Sequence, residues 1–212
     1  MIKEFEKRLL SSFILIPIAI FFIIQGSVFF IFFLSILFLA SSYEWFNMSK
    51  KNNLLKLSGI IFLLFSFYTA FELREKYSFE SFLAIIIICI FTDIGGYVFG
   101  KTFKGPKLTK ISPKKTYSGV IGSFLLSLIA GLIFINYLLE DMINLNTNAL
   151  TVLLVILLIS LISQLGDLII SYFKRKAKLK NTGKILPGHG GLLDRIDGMI
   201  FVFPICYLIT IL

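Results

Sequence analysis

Seven apolar runs, each close to the length that crosses a bilayer, leave this chain few folds to choose from. They are Leu9–Ile24, Val28–Phe46, Leu57–Phe71, Phe82–Phe99, Val120–Leu139, Leu150–Phe173 and Ile196–Leu212. A transmembrane helix takes about 20 mostly apolar residues. Only helices and closed barrels can cross, because the hydrocarbon offers backbone N–H and C=O groups no water to bond. No run alternates as a barrel strand does. The expectation is an all-α, polytopic transmembrane helical bundle of about seven spans, with the third and seventh runs short for the task. At 57% hydrophobic and 16% charged residues in a chain of 212, there is more apolar material than a water-soluble core absorbs. No Pro/Gly/Ser-rich linker interrupts the chain, which predicts a single bundle. Within it, residues 1–80 hold three N-terminal spans, and residues 81–212 hold the remaining spans with two polar loops.

The distribution of Lys and Arg tests the span count. With seven spans the connections alternate sides, and 19 of the 21 basic residues then fall on one side; only Arg74 and Lys76 fall on the other. Cytoplasmic loops carry the excess of Lys and Arg, so the N-terminus is expected in the cytoplasm and the C-terminus across the membrane. The net charge of +9 is read as this orientation signal. A nucleic-acid partner is not expected, because no basic, aromatic-laced soluble module is present. Cys89 and Cys206 sit inside apolar runs with no metal-ligand spacing and read as packing residues. The first run lacks a small-residue cleavage site, so a removed signal peptide is not expected.

Two cytoplasmic loops depart from what orientation alone predicts. Lys101–Gly119 contains Ser112-Pro113-Lys114-Lys115, and Lys174–Arg195 contains Gly188-His189-Gly190-Gly191. Near each lies an acid within an apolar run, Asp93 in the fourth and Asp167 in the sixth. A charge in the hydrocarbon costs at least about 2.5 kcal/mol, and such acids are structural partners of a cation or mark an ion, proton or substrate path. Read as a helix, the sixth run places Ser163, Gly166, Asp167, Ser171, Lys174 and Arg175 on one polar face. Further on, Asp194 and Asp197 are three residues apart and share a face if a helix begins there. Two carboxylates among cations make an oxygen-rich site that suits Mg²⁺ together with substrate phosphates. The glycines of Gly188–Gly191 let backbone N–H groups approach phosphate oxygens. His189 is the single histidine.

These residues resemble a known family. Ser171-x-Phe173-Lys174-Arg175, then Lys180, Gly183, Pro187, His189-Gly190-Gly191 and Asp194-Arg195-Ile196-Asp197 are similar to the 27-residue signature of the CDP-diacylglycerol synthases, or phosphatidate cytidylyltransferases. Gly166-Asp167-Leu168, Asp93-x-Gly95-Gly96-Tyr97-x-Phe99-Gly100-Lys101 and Ser112-Pro113-Lys114-Lys115-Thr116 look like the same family. The resemblance covers roughly residues 90 to 200; the first three spans carry little of it. It implies CTP and phosphatidate as substrates, CDP-diacylglycerol and pyrophosphate as products, and a site on the cytoplasmic face of the cell membrane. It also implies Mg²⁺ on Asp167, Asp194 and Asp197. Phosphates would be held by Lys174, Arg175, Lys184 and Arg195, with help from Lys114 and Lys115. Asp93 and Ser171 would serve the substrate, Gly188, Gly190 and Gly191 would shape the backbone around the nucleotide, and His189 would donate a hydrogen bond to a phosphate. Lys104, Lys107, Lys176 and Lys178 are read as orientation charges. Three positions depart from the family pattern: Asn181 stands where Asp is usual, and Ile170 and Ser118 where Glu is common. An ion-coupled transporter using Asp93 and Asp167, and a catalytically inactive relative, are the alternatives. The oligomeric state is open, a homodimer included.

Overall fold

The computed structural model describes residues 2–50, 52–109, 111–138, 148–186, 188 and 190–211. Its elements are α1 (Ile2–Gln25), α2 (Ser27–Met48), α3 (Asn53–Lys76), α4 (Phe79–Thr102), α5 (Tyr117–Leu138), α6 (Ala149–Lys176), the short α7 (Leu193–Ile196) and α8 (Met199–Ile211). Among the described residues there is no strand, only two isolated bridges, Lys107 with Thr116 and Leu186 with Gly190. Five helices, α2 to α6, are long and apolar enough to cross a membrane, and two shorter apolar stretches, Phe13–Gln25 and Met199–Ile211, accompany them. The chain is a multi-pass helical membrane protein. The third run, short by hydropathy, lies within a 24-residue helix. Its polar ends hid its length: Asn52 caps α3 by accepting from the Leu55 amide at 3.1 Å, and Arg74 and Lys76 lie in its last turn. The seventh run forms a 13-residue helix.

Contacts divide the chain into two compact units, residues 1–79 with 173–212, and residues 80–172. Residues 173–212 thus group with the first three helices, whereas a division at residue 80 along the sequence separates them. In the first unit α3 packs most extensively on α2 and α8. Its interior holds Phe30 and Leu34 of α2, Leu63, Phe67 and Ala70 of α3, and Ile200, Val202 and Phe203 of α8. Gly26 alone separates α1 from α2, with φ 65°, a backbone conformation that glycine adopts without strain. The two cations on the sparsely charged side are both engaged there. Arg74 donates to the Ile23 and Ile24 carbonyls at 2.9 and 2.8 Å, satisfying acceptors left over at the α1 C-terminus. Lys76 pairs with Glu72 at 2.6 Å.

The second unit contains nearly all of α4, then α5, and α6 as far as Tyr172. Its helices meet through small residues, as membrane helices do when backbones approach closely. A Cβ on Gly95 of α4 would collide with the Gly122 carbonyl of α5. A polar thread runs through the same packing. Ser123 donates to the Thr92 carbonyl at 2.7 Å, and Thr92 bonds Ser160 of α6 at 3.0 Å. Each hydroxyl finds a protein partner and is thereby tolerated away from water.

Candidate active site

Each unit builds one cluster of carboxylates and lysines. In the second unit the cluster borders a cavity of about 290 Å³, walled by Asp93 and Tyr97 of α4, Lys114 and Lys115 of the connecting loop, and Gln164 and Asp167 of α6.

The loop reaches this cavity because its sequence closes it on itself. Leu108 donates to the Lys115 carbonyl at 2.8 Å and Tyr117 to that of Pro106 at 3.2 Å. Ser112 to Lys115 form a β-turn, with the Lys115 amide on the Ser112 carbonyl at 3.0 Å and Pro113 at the second position, where its fixed φ is favoured. Thr116 then caps α5 by accepting from the Gly119 amide at 3.1 Å. A turn followed at once by a cap holds Lys114 and Lys115 at the cavity wall. Lys115 pairs with Asp167 at 2.6 Å, and Ser171, one turn along α6, donates to the other Asp167 oxygen at 3.1 Å. Both side chains of the Lys115–Asp167 pair remain about a quarter exposed, at 25% and 27%.

The first unit's cluster is tighter. Lys174 is 8% exposed; its ammonium lies 2.8 Å from Asp194 and 3.9 Å from Asp197. The second Asp194 oxygen accepts from the Thr182 and Gly191 amides at 2.9 and 3.2 Å. Leu186 and Gly190 exchange two backbone hydrogen bonds, at 2.9 and 3.1 Å, and Gly188 and Gly190 have φ of 76° and 96°. These are conformations that L side chains rarely adopt. The glycines thus shape the turn itself. His189 and Pro187 lie outside the described residues.

The structure gathers Lys174, Asp194, Asp197 and Gly191 in one unit, and Asp93, Lys114, Lys115, Asp167 and Ser171 in the other. Arg175 donates to the Leu179 carbonyl at 3.0 Å, just beyond the end of α6. Lys184 and Arg195 are exposed. Of the departures, Ile170 is buried, Ser118 bonds the Lys104 carbonyl, and the Asn181 side chain lies beside Gly190 and Asp194.

One acid escaped the sequence reading. Glu44 of α2 is 1% exposed and accepts from Thr182 Oγ1 and from the Leu192 and Leu193 amides, at 2.8, 2.9 and 2.9 Å. The signal was present: Glu44 is an acid inside the second apolar run, the same anomaly that singled out Asp93 and Asp167.

The oxygen-only donors Asp167, Asp194 and Asp197 fit a hard cation such as Mg²⁺ in kind. Within neither unit do three or more His, Cys, Asp or Glu side chains group as a metal cage among the described residues.

Comparison with known proteins matches residues 54–212 to the cytidylyltransferase family. The chain is 33% identical to a phosphatidate cytidylyltransferase of Rickettsia felis over 97% of this chain and 92% of the relative. It is 34% identical to that of Rickettsia conorii over 100% and 95%. A Staphylococcus aureus phosphatidate cytidylyltransferase is 40% identical over 72% of this chain and 55% of its own length. The matched region takes in both clusters, and the chain belongs to the cytidylyltransferase family.

Proposed function

We propose that this chain transfers the cytidylyl group of CTP to phosphatidate, forming CDP-diacylglycerol and pyrophosphate. The observation that carries the reading is the family match over residues 54–212, which includes both carboxylate–lysine clusters. A phosphatidate oxygen attacks the α-phosphorus of CTP, a new P–O bond forms, and the bond to the β-phosphate oxygen breaks as pyrophosphate leaves. A phosphate monoester has its second pKa near 6 and is mostly ionised at neutral pH, so no strong general base is required. Positioning and charge neutralisation then account for the catalysis.

Lys114 and Lys115, at the cavity wall, hold phosphate oxygens in this reading. Lys174 keeps Asp194 and Asp197 oriented, and Lys184 and Arg195 add exposed positive charge. The carboxylates available to Mg²⁺ are Asp194 and Asp197 in the first unit and Asp167 in the second. Such an ion, when bound, neutralises charge developing on the phosphates. The site faces the cytoplasm of the cell membrane, in keeping with the 19 basic residues assigned to that side. Family membership and the phosphate-suited loops favour this reaction over an ion path.

The test is an assay of the purified, folded chain with labelled CTP and phosphatidate, with and without Mg²⁺. CDP-lipid should form only when all three are present. Absence of product above the metal-free control overturns the enzyme reading.

A further inference from the structure

Glu44 lies before the family-matched region, which begins at residue 54, yet it is built into the signature loop. We infer that Glu44 is a positioning residue that presents the Asp194–Asp197 segment for cytidylyl transfer; the inference rests on the activity proposed above.

Three donors converge on its carboxylate: the Thr182 hydroxyl at 2.8 Å and the Leu192 and Leu193 amides at 2.9 Å each. Those amides belong to the residues immediately before Asp194. Thr182 joins the two acids, because its hydroxyl donates to Glu44 and its amide to Asp194. Glu44 and Asp194 together accept from the amides of Thr182, Gly191, Leu192 and Leu193. The backbone that leads into Asp194 is therefore held from both sides. The fit is close: a Cβ on Gly183 would meet the Glu44 carboxylate, and one on Gly191 would meet the Thr182 hydroxyl.

This geometry needs two acceptor oxygens. The Leu192 amide uses one and the Leu193 amide the other. Glutamine has one acceptor oxygen and an NH₂ that only donates, so either orientation sets a donor against a backbone N–H. Glu44→Gln keeps the side chain's size and removes the function. Partners that orient a ligand or reacting group cost about 10- to 100-fold in activity or metal affinity when lost.

The experiment compares wild type, Glu44→Gln, Thr182→Ser and Thr182→Val as purified full-length proteins. Turnover, KM for CTP and amide exchange at Leu192 and Leu193 are measured. Glu44→Gln should lower kcat about tenfold or more, with KM for CTP changed less than threefold, and should speed exchange at those amides. Thr182→Ser should retain wild-type kcat, while Thr182→Val should lose several-fold. Wild-type kcat in Glu44→Gln, or equal kcat in the two Thr182 variants, overturns the assignment. If Glu44→Gln does not fold, the Thr182 pair decides; failure of both Glu44→Gln and Thr182→Val to fold overturns it in favour of a purely structural role. An inactive wild type counts against the transfer reaction instead, and amide exchange then judges Glu44 alone.

Discussion

The two carboxylate–lysine clusters share a composition and differ in how they are finished. Around Asp194 one oxygen accepts from Lys174 and the other from two backbone amides, and Lys174 is 8% exposed. Around Asp167 the partners include two side chains, Lys115 and Ser171, and the pair borders a cavity of about 290 Å³. A cluster completed by buried backbone groups holds a loop in shape. In a cluster that fronts open space the lysine has room to exchange its aspartate for a phosphate oxygen. The same residue types thus stand in one tightly bonded and one open setting, according to what else surrounds them.

The largest effect should come from Lys174→Met, which removes the ammonium that lies 2.8 Å from Asp194 and 3.9 Å from Asp197. Breaking a buried pair by removing one partner costs about 3–5 kcal/mol. Thermal unfolding in detergent should fall by several degrees and turnover should vanish. Unchanged stability would break the contrast between the clusters. Asp167→Asn should lower turnover about a hundredfold, on the scale of a lost charge-stabilising group. Its unfolding temperature should barely move, because partly exposed pairs contribute about 0–1 kcal/mol. A large drop in stability would make this cluster a scaffold too.

Lys115→Gln should raise the KM for CTP or phosphatidate about tenfold, matching the loss of a charged hydrogen bond of about 1.5–3 kcal/mol, with stability preserved. Steady-state kinetics on both substrates checks this. The smallest change is expected from Asn181→Asp, which adds a carboxylate beside Gly190 and Asp194. Turnover should stay within about threefold, and half-maximal activity should need less Mg²⁺, since added ligand charge strengthens cation binding.

The bundle was legible because bilayer thickness constrains span length and loop charge reports side. The third helix was under-read because its capped, charged ends lie outside the apolar window. The loop residues were legible where chemistry is local: Ser112-Pro113-Lys114-Lys115-Thr116 encodes a turn and a cap within five residues. Glu44 carries the same local signal as Asp93 and Asp167, an acid inside an apolar run, but what it holds was not legible, because its partners lie 138 to 149 residues away. For Arg175, helical spacing gives the polar face of α6, and the structure adds a contact that spacing does not encode: its guanidinium donates to the Leu179 carbonyl beyond the helix end.

The most direct test of the transfer reaction follows two labels at once. CTP labelled at the α-phosphorus and CTP labelled at the γ-phosphorus are each supplied with phosphatidate and Mg²⁺ to the purified chain. Attack at the α-phosphorus predicts that the α label enters the lipid product and the γ label leaves as pyrophosphate, in equal amounts. A γ label in the lipid, or release of inorganic phosphate in place of pyrophosphate, would contradict the account.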